Sequence, residues 1–260
     1  MKRLARVTRF VVILLAALMV SSASFADDSQ ALSADASNTI VLLLSQSVHS
    51  ISNAVLDDHL LKWDGPSIRY RILAGQPSSR ITDAISEMQQ ILNVAKSGLS
   101  FESTDSIDSA DIAIVFDDRS SSVFSKYKID LKKFYTVEGA QLDDNLIANL
   151  TNIFASDINP CVWFRVMDGF RIKKNVIFVS SALSADRIDK CINNALIVTL
   201  GLSLQRVEGH SVRSSTDDQS KLTEEDKLAL EILYQPKVRP GDTIRQAIDS
   251  FGHIKVNTGQ

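Results

Sequence analysis

The chain has 260 residues, 45% of them hydrophobic and 23% charged, with 28 basic residues against 31 acidic ones and a net charge of −3. That length can bury one sizeable core, or one domain with a small extension. An acidic balance with no basic run in the body of the chain argues against nucleic acid and anionic membrane surfaces as partners.

The chain opens "MKRLARVTRFVVILLAALMVSSASFADD". Lys2, Arg3, Arg6 and Arg9 form a basic head, residues 10–20 an apolar run, and Ser24-Phe25-Ala26 a small-x-small cleavage signal ahead of Asp27 and Asp28. This is the layout of a secretory signal peptide. The run is shorter than the roughly 20 residues a spanning helix needs, and no cysteine follows it to carry a lipid. The expectation is an exported chain, periplasmic or secreted, with no stable membrane anchor after cleavage. Cleavage after Ala26 would remove four of the 28 basic residues and no acidic one, leaving 24 against 31, or −7. The expected division is a signal peptide over 1–26, a partly flexible N-terminal extension over 27–62, and one domain over 63–260.

Residues 27–38, "DDSQALSADASN", are small and polar and read as a mobile start. A helix is expected over 40–56. "SIRYRIL" (67–73) alternates Ile68, Tyr70 and Ile72 against Arg69 and Arg71, a strand with one wet face. "RITDAISEMQQILNVAKSG" is an amphipathic helix with Ile81, Ala84, Ile85, Met88, Ile91 and Leu92 in one stripe, Ser78 or Ser79 at its start and Gly98 at its stop. "LSFES" and "ADIAIVFDD" (110–118) are strands. Two helices are expected over 120–134 and 142–156. "CVWFRVMDGFRIKKNVIFVSS" reads as a hairpin turning at Asp168-Gly169. "LSADRIDKCINNALIVTLGL" is one helix, capped by Ser184, apolar almost all round over 195–200, and stopped by Gly201. "LTEEDKLALEILYQP" is a helix with Thr223 as its cap and Asp226 three residues on, closed by Pro236. A short helix in "RPGDTIRQAIDSFGHI" ends the pattern.

Cys161 and Cys191 are the only cysteines. In an exported chain a disulfide is the simplest reading, with two separate buried thiols as the alternative. Two cysteines do not suggest a structural zinc site.

The order of these elements resembles that of metzincin-type zinc proteases. "IRYRIL…ITDAISEMQQIL…GLSFES…ADIAIVF" looks like the opening of a matrixin-like domain. "DKCINNALIVTLGLSL", then "HSVRSS" and "LTEEDKLALEILYQPKVRPGDT", is similar to a family of exported bacterial domains of unknown function that looks like a degenerate relative of the metzincins. The resemblance spans roughly residues 63–245. It implies an α+β fold of the metzincin or zincin type: a mixed sheet, a long helix over it, and a C-terminal helical part.

A zinc protease helix carries His at i and i+4, so that both imidazoles leave one face, with Glu at i+1 as general base. Setting the glycine of that motif at Gly201 puts the first ligand at Asn194, the base at Ala195, the second ligand at Val198 and the third at Leu204. The Met-turn position falls near Arg213. Ala195, Val198 and Leu204 can neither bind a metal nor move a proton. No His, Asp or Glu lies between Lys190 and Arg206, so a shift in register does not restore the site.

The resemblance therefore implies a pseudo-metalloprotease with no catalytic residue and no cofactor, acting as a binding or assembly module for an unidentified protein or peptide in the cell envelope. Its groove is expected beside "ADIAIVF", where a peptide would lie as an added strand. The alternative is a metal-dependent hydrolase with a relocated site of His210, Glu208 and Asp217, with Asp218 adjacent. Other features carry less. His49, His59, His210 and His253 include no pair at helical ligand spacing. Ser203 lacks the Gly-x-Ser-x-Gly setting of a nucleophile elbow. The acidic loop "FDDRSSS" reads as solvated surface rather than a cation site, and Asn149-Leu150-Thr151 is a glycosylation sequon that matters only in a host that glycosylates exported proteins.

Overall fold

The computed structural model describes residues 33–45, 59–74, 79–118, 122–136, 161–203, 211–213 and 219–251. Within them lie helix α1 (Ala34–Leu44), strand β1 (Ser67–Ala74), helix α2 (Ser79–Val94), strands β2 (Ser100–Ser103) and β3 (Ile112–Asp117), helix α3 (Ser122–Thr136), strands β4 (Cys161–Asp168) and β5 (Arg171–Ser180), and helices α4 (Ala185–Thr199), α5 (Glu224–Leu233) and α6 (Ile244–Phe251). The five strands form one sheet in the order β2-β1-β3-β5-β4. Pairing is parallel for β1–β2, β1–β3 and β3–β5, and antiparallel for β4–β5. The fold is thus mixed α+β, with a mostly parallel sheet.

Alternation along each strand sends side chains to two faces. Ile68, Ile112, Ile114, Ile177 and Val179 meet the larger core, where Met88 and Leu92 of α2, Leu196 and Ile197 of α4 and Leu230 of α5 are buried. Leu73, Ala113, Val115, Val176 and Phe178 meet the smaller core with Tyr127, Leu131 and Phe134 of α3. The stripe expected on α2 is the buried face. Gly98 (φ 69°) ends that helix region, and Gly169 (φ 57°) makes the β4–β5 turn at Asp168-Gly169.

Two expectations fail. The strand "ADIAIVF" is interior: β3 is bonded to β1 on one side and β5 on the other, so no peptide can add beside it. Its unbroken burial over residues 112–115 shows the same thing, since strands inside a parallel sheet are covered on both faces. Among the described residues the sheet edges are β2 and β4. The second failure is the start of the chain. The first helix begins at Ala34, inside the stretch read as mobile, with Ser33 Oγ accepting from Ala36 N. Ile40, Leu43 and Leu44 of α1 are fully buried, and α1 packs against α5. The expected helix over 142–156 lies outside the described residues.

Candidate functional site

Helix α4 starts at Ser184 in extended backbone, whose hydroxyl makes no capping bond. It is then buried on nearly every side from Cys191 to Thr199. Leu200 ends it, and Gly201 follows at φ 108°. A Cβ on Gly201 would stand 2.0 Å from the Leu61 carbonyl oxygen. The glycine therefore serves two needs: a left-handed backbone and the close passage of the 60–63 segment.

The positions matched to zinc ligands and base face different surroundings. Ala195 and Val198 have no exposed surface. Leu204 lies outside the described residues. Asn194 is half-buried, and its Oδ1 accepts a hydrogen bond from Arg213 Nη1. Arg213, at the Met-turn position, is itself buried, and its guanidinium carbon stands 5.5 Å from the centroid of the Trp163 ring. That contact combines ring quadrupole and cation. A second guanidinium comes from the edge strand: Arg165 Nη1 donates to the Val198 carbonyl at 2.9 Å. Burial lowers the Arg165 pKa to about 10, against a raising influence from Tyr234. Cys161 at the start of β4 and Cys191 on α4 form a disulfide, with Cα atoms 5.7 Å apart. Edge strand and helix are thus joined covalently at one end and through Arg165 further along.

The segment carrying Arg213 is anchored to α5. Asp226 is fully buried. Its Oδ1 accepts from Ser211 Oγ at 2.5 Å, and its Oδ2 accepts from Val212 N at 2.9 Å and Thr223 N at 3.0 Å. Thr223 Oγ1 accepts in turn from Asp226 N at 3.2 Å, completing a capping box. Burial raises the Asp226 pKa above the usual carboxylate range, although these hydrogen bonds pull the other way.

This arrangement does not fit zinc. Two of the matched positions are apolar and sealed, and the third is held by a guanidinium whose charge would repel a dication. Among the described residues no three His, Cys, Asp or Glu side chains gather where they could hold a metal ion. The alternative set of His210, Glu208 and Asp217 lies outside the described residues. So do His49, His253, Asp218 and the sequon. His59 stacks on Phe170 at 5.0 Å. Ser203 is buried, with its N–H on the Leu43 carbonyl.

The sequence reading missed Trp163, Arg165 and the Asn194–Arg213 contact. Arg165 was within reach, because alternation in "CVWFRVMD" places it on the same face as Cys161 and Trp163. These elements define a mixed α+β domain with a disulfide across its edge strand and a closed, uncharged helix face. The chain belongs to the family described as "Protein of unknown function (DUF2927)", which matches residues 39–252. No curated protein matches it.

Proposed function

We propose that this is an exported, non-catalytic binding module on a degenerate metzincin-like scaffold, taking an extended peptide or protein segment along the edge strand β4. The observation that carries the reading is the state of helix α4: Ala195 and Val198 are sealed, and Asn194 is bonded to Arg213. A face built this way has no acceptor set for a metal and no base for a proton. The element order, with an antiparallel β4 beside β5 and a glycine-stopped helix after the hairpin, supports the scaffold assignment. Export is supported by the disulfide, which forms and persists in oxidising compartments. Among the described residues no helix is long and apolar enough to cross a membrane.

An edge strand presents unpaired backbone groups, and strand addition is the common way such an edge binds a peptide. The test joins metal analysis to crosslinking. Purified protein lacking residues 1–26 is dialysed and its metal content measured. A photo-crosslinker is placed at Asp168, exposed at the end of β4, and in a control at Ile129, 69% exposed on α3. The expected result is metal far below one equivalent and a discrete adduct from position 168 alone. Stoichiometric metal together with hydrolase activity, and no adduct, overturns the proposal.

A further inference from the structure

A cavity of about 610 Å3 opens at the amino edge of the parallel strands; Arg69, Arg171 and Lys173 line it together with Asp64, Asp111 and Trp63. Its size falls in the range of small-molecule sites, about 300–1,000 Å3. The lining carries three cations against two carboxylates, a local positive excess in a chain of net charge −3.

Both carboxylates are already used. Asp111 accepts from Arg69 Nε and Nη2, each at 3.2 Å, and from Arg69 N at 2.8 Å. Asp64 Oδ2 pairs with Arg171 Nε at 2.9 Å. A guanidinium has more N–H donors than one carboxylate can accept, so both arginines keep donor capacity on the cavity side. The side chain of Lys173 makes no hydrogen bond or ion pair with another described residue. Its placement has a specific cause. In the β4–β5 ladder Met167 pairs with Ile172 and Val166 with Lys174, so Lys173 is the extra residue of a β-bulge. Bulges re-aim a side chain that regular alternation would point elsewhere. The adjoining segment is held firm: Trp63 Nε1 donates to the Thr199 carbonyl at 2.9 Å, Lys62 Nζ to the Val238 carbonyl at 2.8 Å, and Ile172 N to the Lys62 carbonyl at 3.0 Å.

We propose that this cavity is a binding site for a small anion bearing a carboxylate or phosphate group, held by Lys173 Nζ and the Arg171 guanidinium. Donors outnumber acceptors, the walls are preorganised, and the bulge delivers a cation with no protein partner among the described residues. The site does not depend on the reading of α4 or of the β4 edge.

The test is a calorimetric or NMR titration of the protein with inorganic phosphate and, separately, with succinate, each against sodium chloride at matched ionic strength. The expected result is saturable binding of at least one of the two beyond the chloride control; which one saturates identifies the source. Lys173→Gln should weaken it about tenfold, the usual worth of one charge-assisted hydrogen bond. Lys221→Gln, outside this cavity, should leave it unchanged. Asp64→Asn, which releases Arg171 from its carboxylate, should tighten binding and gives a second readout free of any folding defect in a cation variant. Absence of saturation with both anions, or wild-type affinity in Lys173→Gln, overturns the proposal.

Discussion

Replacing Asp226 by alanine tests whether one buried carboxylate holds the segment of Arg213 in place. The side chain satisfies two backbone N–H groups, of Val212 and Thr223, and the hydroxyl of Ser211. Without it, both N–H groups stay buried with no acceptor, at about 1–3 kcal/mol each. The Ser211 hydroxyl can rotate, so its share is small. Partial entry of water relieves some of the rest, which puts the loss for Asp226→Ala at about 3–4 kcal/mol. For a chain of this size each kcal/mol moves Tm by about 2–4 °C, so a drop on the order of 10 °C is expected. Asp226→Asn behaves differently. Its carbonyl can accept from both N–H groups, and its NH2 can donate to Ser211 Oγ. Because burial already raises the acid's pKa, removing the charge costs little, and the change should stay within about 1 kcal/mol. The assay is urea unfolding followed by circular dichroism and tryptophan emission, with Trp163 reporting on release of Arg213. The reasoning fails if alanine is as mild as asparagine, or asparagine as damaging as alanine.

Gly201→Ala should lose at least about 3 kcal/mol, combining backbone strain with displacement of Leu61. Gly98→Ala, at φ 69° with open space around it, should lose only about 1 kcal/mol by the same unfolding measurement. The buried Lys62 has a pKa lowered to about 8 by desolvation, against raising influences from Asp64 and Asp242. Between pH 8 and the unfolded value near 10.5 the unfolded chain binds the extra proton, so this group makes stability rise with pH across that window, by at most about 3 kcal/mol. Lys62→Met should remove that slope in unfolding curves taken from pH 7 to 9.5, and an unchanged slope refutes the assignment. Replacing both Cys161 and Cys191 by serine opens a 30-residue loop and should lower stability by about 2–4 kcal/mol. Wild-type stability in the double variant would show that α4 and β4 do not need the link.

Where the local pattern is strong, the elements were readable. The α2 stripe, the Asp168-Gly169 turn, the glycine at 201 and the Thr223–Asp226 pair all appear as expected, because each depends on residues within a turn or two of one another. Sheet order is another matter. "ADIAIVF" shows period-2 alternation and also a nearly unbroken apolar run. The first suggests one wet face, the second an inner strand. The run was the better guide, since Ala113 and Val115 meet the α3 core. The burial of α1 was hidden because α5, its partner, lies far along the chain. The site shows the same divide. That positions 194, 195 and 198 hold no His, Asp or Glu can be read off the helix, but the contact of Arg213 with Asn194 joins residues 19 apart in the sequence. The bulge at Lys173 follows from a pairing choice that leaves no local mark.

The sealed face of α4 also bears on how this helix and the 211–213 segment are held together. A bound zinc ties a helix to a following loop through directional bonds, and its loss leaves polar ligands buried and unpaired. In this chain packing, hydrogen bonds and a disulfide join the helix to its neighbours. Ala195 and Val198 are held by packing alone, and neither brings a buried side-chain polar group that needs a partner. The 211–213 segment is tied back by Asp226, and its Arg213 spans Asn194 and the Trp163 ring. The disulfide secures the edge strand to the same helix. Placing His at 194 and 198 would therefore not build a zinc centre: one imidazole would face Arg213, and the other would be forced into a filled core.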